Sequence, residues 1–196
     1  MGGSGPFARR VAALCAMGAA LVAAGCGGGE RQDAHEPSGT LAVAVVRASF
    51  PAKQHLAKPE RFVIAVRNTG SRPVPNLAVT VDSFASRSEQ AGAADPSRAV
   101  WVIDDAPRGG DTAYANTWTL GRLAPGETRT FVWRVTAVQT GTHTVRWEVA
   151  AGLNGKAKAV LAGRRAPSGS ITVDVSGRPA QAHVDPETGR VIREGG

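Results

Sequence analysis

From Leu41 onward, apolar side chains recur at every second position in short runs separated by clusters of Gly, Pro, Asn and Ser. No window carries the i, i+3, i+4, i+7 stripe of an amphipathic helix, whereas a period of two is the signature of a pleated strand with one buried face. Glu60 to Asn68 sets Phe62, Ile64 and Val66 against Val63, Ala65 and Arg67, and stops at Asn68-Thr69-Gly70. Leu77, Val79 and Val81 alternate with Ala78, Thr80 and Asp82. Thr128 to Thr136 aligns Phe131, Trp133 and Val135, Thr142 to Ala150 aligns Val145, Trp147 and Val149, and Ile171, Val173 and Val175 form a last set. Leu41 to Phe50, Ala99 to Asp104 and Thr117 to Leu120 add shorter apolar runs. Asn154-Gly155 marks a two-residue hairpin returning through Lys156 to Leu161. With 24 Gly and 12 Pro among 196 residues, turns are abundant. Strands of this number and length, each apolar on one face, predict an all-β sandwich of about seven to nine antiparallel strands.

The first segment reads as an address. Arg9 and Arg10 lead into an uncharged, Ala-rich stretch from Val11 to Gly25, too short at about 15 residues for a permanent membrane span but right for an export signal. It ends in Ala23-Ala24-Gly25-Cys26, which resembles the lipobox of bacterial lipoproteins, with Ala23 where Leu is usual. That resemblance implies cleavage after residue 25 and acylation of Cys26, hence a protein anchored in the cell membrane on its extracytoplasmic face. Cys15 and Cys26 are the two cysteines, so the folded domain has no thiol for a disulfide, a metal or a nucleophile. Residues 26–39 are Gly-rich and polar and read as a flexible tether.

The net charge of +7 invites a nucleic-acid partner. Removing residues 1–25 takes Arg9 and Arg10 away and leaves 21 basic against 16 acidic residues, a net of +5. The remaining arginines recur on polar strand faces at Arg67, Arg134 and Arg146 among Asp82 and Glu148, without an aromatic-basic stripe. Nucleic acid is therefore not expected. A weak attraction to anionic lipid heads or wall polymers is compatible with this pattern at low salt.

Two stretches carry a resemblance within the domain. Phe62 to Val81, with its Asn-Thr-Gly stop and Pro-Asn-Leu lead-in, and Leu120 to Ala150, with Leu123-Ala124-Pro125-Gly126 before a strand, resemble bacterial immunoglobulin-like domains of the cell-adhesion-related type. The resemblance covers residues 40–176. It implies that Leu-x-Pro-Gly is a turn between sheets, and it marks fold rather than ligand.

Ser83 to Asn116 is long for a connection between two strands and is the place to look for a site. It holds Trp101, Asp104, Asp105, Arg108, Asp111 and Tyr114, with Trp118 just beyond. Trp101, Trp118 and Tyr114 either form an aromatic platform for a sugar ring or close the end of the sandwich. Asp104, Asp105 and Asp111 supply hard oxygen ligands suited to calcium, but lack the EF-hand spacing, and Arg108 can pair with one of them. His35, His55, His143 and His183 are scattered, and no nucleophile elbow or phosphate loop occurs.

No cofactor and no metal is expected, and no residue can be named for catalysis. Asp185-Pro186-Glu187-Thr188-Gly189 reads as a turn in a segment, 177–196, that is either a short hairpin or a loose tail. The expected protein is a non-enzymatic, lipid-anchored module that binds an envelope protein or glycan. A carbohydrate- or calcium-binding accessory module using the 83–116 loop is the alternative.

Overall fold

The computed structural model describes residues 33, 35–86, 99–162, 165–178 and 182–193. The expected signal, Cys26 and the first part of the expected tether lie outside them, as do residues 87–98 of the long stretch. The described chain forms β1 Gly39–Ser49, β2 Lys53–His55, β3 Pro59–Asn68, β4 Ala78–Val81, β5 Phe84–Ser86, β6 Trp101–Asp105 and β7 Asp111–Tyr114. These are followed by β8 Thr117–Thr119, β9 Thr128–Ala137, β10 Gly141–Ala150, β11 Ala157–Val160, β12 Ser168–Ser176, β13 Ala182–Val184 and β14 Val191–Arg193. Twelve strands make two six-stranded sheets, ordered β11-β1-β3-β9-β6-β5 and β2-β12-β10-β4-β8-β7, and β13 pairs with β14. The chain is the all-β sandwich that the alternation predicts.

The long strands sit where their side chains dictate. Phe62, Ile64 and Val66 of β3 and Phe131, Trp133 and Val135 of β9 are all fully buried on the inner face of the first sheet. Nine register pairs, from Pro59 opposite Thr136 to Arg67 opposite Thr128, hold the two strands together. Val79 and Val81 of β4, Val145, Trp147 and Val149 of β10, and Val173 and Val175 of β12 close the core from the second sheet. Trp147 lies beside its register partner Gly169. A Cβ added there would approach Trp147 Cζ2 to 2.5 Å, so the ring occupies the space a side chain would take.

The sheets are mixed, not antiparallel throughout. β1 with β11, β2 with β12, and β5 with β6 pair in parallel. All three pairings add a strand of three or four residues at a sheet edge, too short to show a period of their own. β11 also corrects an expectation. It does not return along β10 as an Asn-Gly hairpin but crosses to the other sheet and pairs with β1, Gly39 opposite Ala157. Six residues separate β10 from β11, enough to cross the sandwich, and Gly155 with φ 76° turns the chain toward the new sheet.

Leu123-Ala124-Pro125-Gly126 carries the chain from β8 in the second sheet to β9 in the first. Gly126 takes φ 76°, Leu123 and Val74 exchange backbone hydrogen bonds, and Asn68 Nδ2 donates to the carbonyls of Arg72 and Leu123. Glu127 closes the turn by accepting from Ala124 N and Arg129 Nε at 2.8 Å each, which holds its carboxyl below the ordinary carboxylate range. At the other terminus, Asp185 to Gly189 is the turn between β13 and β14. Asp185 accepts from Thr188 Oγ1 and Glu187 N.

The tether is docked from Asp33 onward. The Glu36 carboxylate accepts from the backbone N–H groups of Leu153 and Asn154 at 2.7–3.2 Å, and Asn154 Nδ2 donates to Asp33 O. Successive N–H groups of a turn form an anion cradle. Gly152 leaves room for this carboxylate, since a Cβ there would lie 2.5 Å from Glu36 Oε2.

Gly169→Val forces a side chain into the volume of the Trp147 ring. Overpacking of this kind lowers stability by about 1–3 kcal/mol, readable as a lower urea midpoint at unchanged slope.

Candidate functional site

The residues singled out in the long stretch do not converge, because among the described residues they are divided between β6, β7, β8 and the turns beside them. Trp101 opens β6 opposite Ala137, at 0% exposure, and its indole Nε1 donates to Gln54 Oε1 at 2.8 Å. Trp118 is 3% exposed in β8, and its ring meets Trp133 edge-on at 5.5 Å between centroids. Both tryptophans therefore close the core, and neither presents a ring face to a sugar. Tyr114 alone of that trio is exposed, and its hydroxyl reaches Asp33 Oδ2 at 3.5 Å.

The acidic residues also disperse. Asp104 accepts from Thr136 Oγ1 at 2.6 Å, and Asp105 pairs with Arg134 Nε at 3.2 Å across a bulge in β6. Arg108 is exposed in the turn between β6 and β7. Asp111 opens β7 opposite Thr119, in the other sheet from Asp104 and Asp105. Among the described residues, no three of His, Cys, Asp and Glu gather where a metal ion could be held.

A different place gathers polar groups. On the outer face of the second sheet, an open groove of about 480 Å³ is lined by Thr80, Asp82, Arg146, Glu148, Ser168 and Ser170, with Trp147 and Gly169 beneath them. Alternation puts Arg146 and Glu148 of β10 on this face. Register sets Arg146 beside Ser170, and Glu148 between Thr80 and Ser168.

Asp82, just past β4, holds Arg146 at two points. Its Oδ1 accepts from Arg146 N at 2.9 Å, and its Oδ2 lies 3.7 Å from Nη1. Ser83 Oγ donates to the same carboxylate at 2.7 Å. Hydroxyls continue the face sideways, with Thr80 and Thr117 at 2.8 Å and Thr144 and Thr172 at 3.4 Å. A planar cation, two carboxylates and a row of hydroxyls can hydrogen-bond a polyhydroxylated or peptide ligand.

No family model and no curated protein matches the sequence. Among solved structures, the chain is similar to the CARDB domain of a Pyrococcus furiosus protein in complex with di-metal ions. Identity is 18%, coverage 70% of this chain and 86% of that one, and the TM-score 0.41. It is also similar to native alpha-2-macroglobulin from Escherichia coli, spanning domain MG7 to the C-terminus, at 15% identity and TM-score 0.44. That match covers 76% of this chain and 21% of that one. Identities this low leave ligand and activity to this chain's own residues.

In the sequence, the alternation of Asp82, Arg146 and Glu148 on polar positions marks only an ordinary solvated face. Their meeting with Ser168 and Ser170 depends on which strands become neighbours, and no spacing states that. Gln54, buried at 2%, was missed because it sits in a three-residue strand.

Gln54→Leu leaves the Trp101 N–H buried without an acceptor. The expected loss is about 1–3 kcal/mol, against about 3–5 kcal/mol for Trp101→Ala, both measured by denaturant unfolding.

Proposed function

We propose that this chain is a non-enzymatic module on the extracytoplasmic face of the cell membrane, lipid-anchored through Cys26, that binds an envelope glycan or protein in the groove over β4, β10 and β12. The observation that carries the reading is the Asp82-held Arg146 beside Glu148, Thr80, Ser168 and Ser170 on an otherwise regular sheet face. A guanidinium beside a carboxylate and hydroxyls offers forked donors to a ligand's oxygens, which favours recognition over chemistry. The lipobox-like Ala23-Ala24-Gly25-Cys26 supports the anchor. Trp101 and Trp118 lie in the core, so the groove is a better candidate than the 83–116 stretch for a glycan.

Retention on isolated cell-wall glycan tests the groove. Arg146→Ala removes one charged hydrogen-bonding group and weakens retention roughly tenfold or more, with the thermal midpoint nearly unchanged because the side chain is exposed. Equal retention by both proteins contradicts the glycan reading. Palmitate labelling tests the anchor separately: Cys26→Ala abolishes it, and equal labelling of both proteins contradicts acylation at Cys26.

A further inference from the structure

The two outer faces of the sandwich differ sharply in charge. On the second sheet, Lys53 and Arg146 stand among Asp82, Glu148 and Asp174. On the first sheet, register places Arg61 opposite Arg134, Arg67 opposite Thr128, Arg47 opposite Ala65, and Lys158 opposite Thr40. Five cations thus share one face, and among the described residues its acids are Asp104 and Asp105 at the β6 margin. Asp105 pairs with Arg134. Arg47, Arg61, Arg67 and Lys158 are exposed and form no ion pair among the described residues.

The centre of the face carries small apolar side chains. Val63 and Ala65, at 7% and 6% exposure, lie between the arginine-bearing positions. Arg61 and Arg67 are six residues apart on β3, about 20 Å along the strand. Like charges set directly opposite, as Arg61 and Arg134 are, destabilise a sheet unless anions offset them. A single phosphate or carboxylate would need a concave cradle, whereas a row of cations on a plane matches a plane of anions.

We propose that the outer face of the first sheet docks on an anionic lipid surface. The proposal goes beyond the anchor, and the length of chain outside the described residues favours it. If Cys26 is acylated, six residues link it to the docked Asp33, a span of seven Cα–Cα steps or at most about 25 Å. Such an anchor keeps the sandwich beside the headgroups, and the cationic face then selects which side lies against them. One acyl signal combined with a basic surface is a stable way to hold a peripheral protein.

The test uses residues 27–196, which lack Cys26 and contain every strand of both sheets. Co-sedimentation is measured with vesicles of phosphatidylcholine alone and with about 30% phosphatidylglycerol added, at low and at raised salt. Binding is expected only to the anionic vesicles and is lost on adding salt. Arg61→Gln combined with Arg67→Gln lowers the partition coefficient roughly twentyfold, since each basic residue near an anionic surface contributes about fivefold. Lys53→Gln combined with Arg178→Gln, the latter exposed just past β12, removes the same charge beside the second sheet and changes binding far less.

Equal binding to neutral and anionic vesicles overturns the proposal, as does an equal loss in both double variants. Capture by inorganic polyphosphate without binding to vesicles also overturns it, and assigns the face to a soluble polymer. Because the assay omits Cys26, a negative result leaves the anchor reading standing, and failed palmitate labelling leaves this one standing.

Discussion

Contact between the sheets rests on one aromatic cluster. Trp133 stands at its centre, stacked on Phe131 at 5.6 Å, tilted on Phe62 at 5.3 Å and met edge-on by Trp118 from the opposite sheet at 5.5 Å. Phe50, Phe84 and Trp101 extend the cluster toward the start of β6. Rings of this size bury about 150–250 Å² each, and edge-on or offset pairs add about 0.5–1.5 kcal/mol apiece. Among the described residues, the buried indole N–H groups of Trp133 and Trp147 meet no acceptor. Packing therefore outweighs an unmade hydrogen bond at two places, and Gln54 supplies the bond at a third.

That cluster explains why the aromatic residues do not make a ligand platform. A chain with five Phe, four Trp and one Tyr uses the tryptophans and Phe50, Phe62, Phe84 and Phe131 to join its sheets. Hydrogen bonding to ligands then falls to the outer faces, where alternation places hydroxyls and charges. The hydroxyl-lined groove and the cationic face lie on opposite sides of the sandwich, so occupying one leaves the other open.

Period two makes β1, β3, β4, β9, β10 and β12 legible, because each run has at least two inward apolar residues flanked by turn residues, whereas β6 and β8 show only as short apolar runs and β11 only as the far side of the Asn-Gly turn. β2, β5 and β7 were not legible, since three or four residues cannot establish a period. Pairing was the larger omission. Asn154-Gly155 is the usual mark of a hairpin, yet the six-residue link and the Glu36 cradle carry β11 to the other sheet. As loop residues Trp101 and Trp118 could serve a ligand, but as residues of β6 and β8 they face the core. The sorting of Arg67 and Arg134 to one face, and of Asp82, Arg146 and Glu148 to the other, follows from strand order, which a single sequence does not display.

All four tryptophans are interior, at exposures of 0, 3, 0 and 8% for Trp101, Trp118, Trp133 and Trp147. Acrylamide and iodide quenching of the native protein's tryptophan fluorescence tests this directly. A blue-shifted emission that resists both quenchers until the protein unfolds is the expected result. A native fraction quenched as readily as the unfolded chain would contradict it and return at least one indole to the surface.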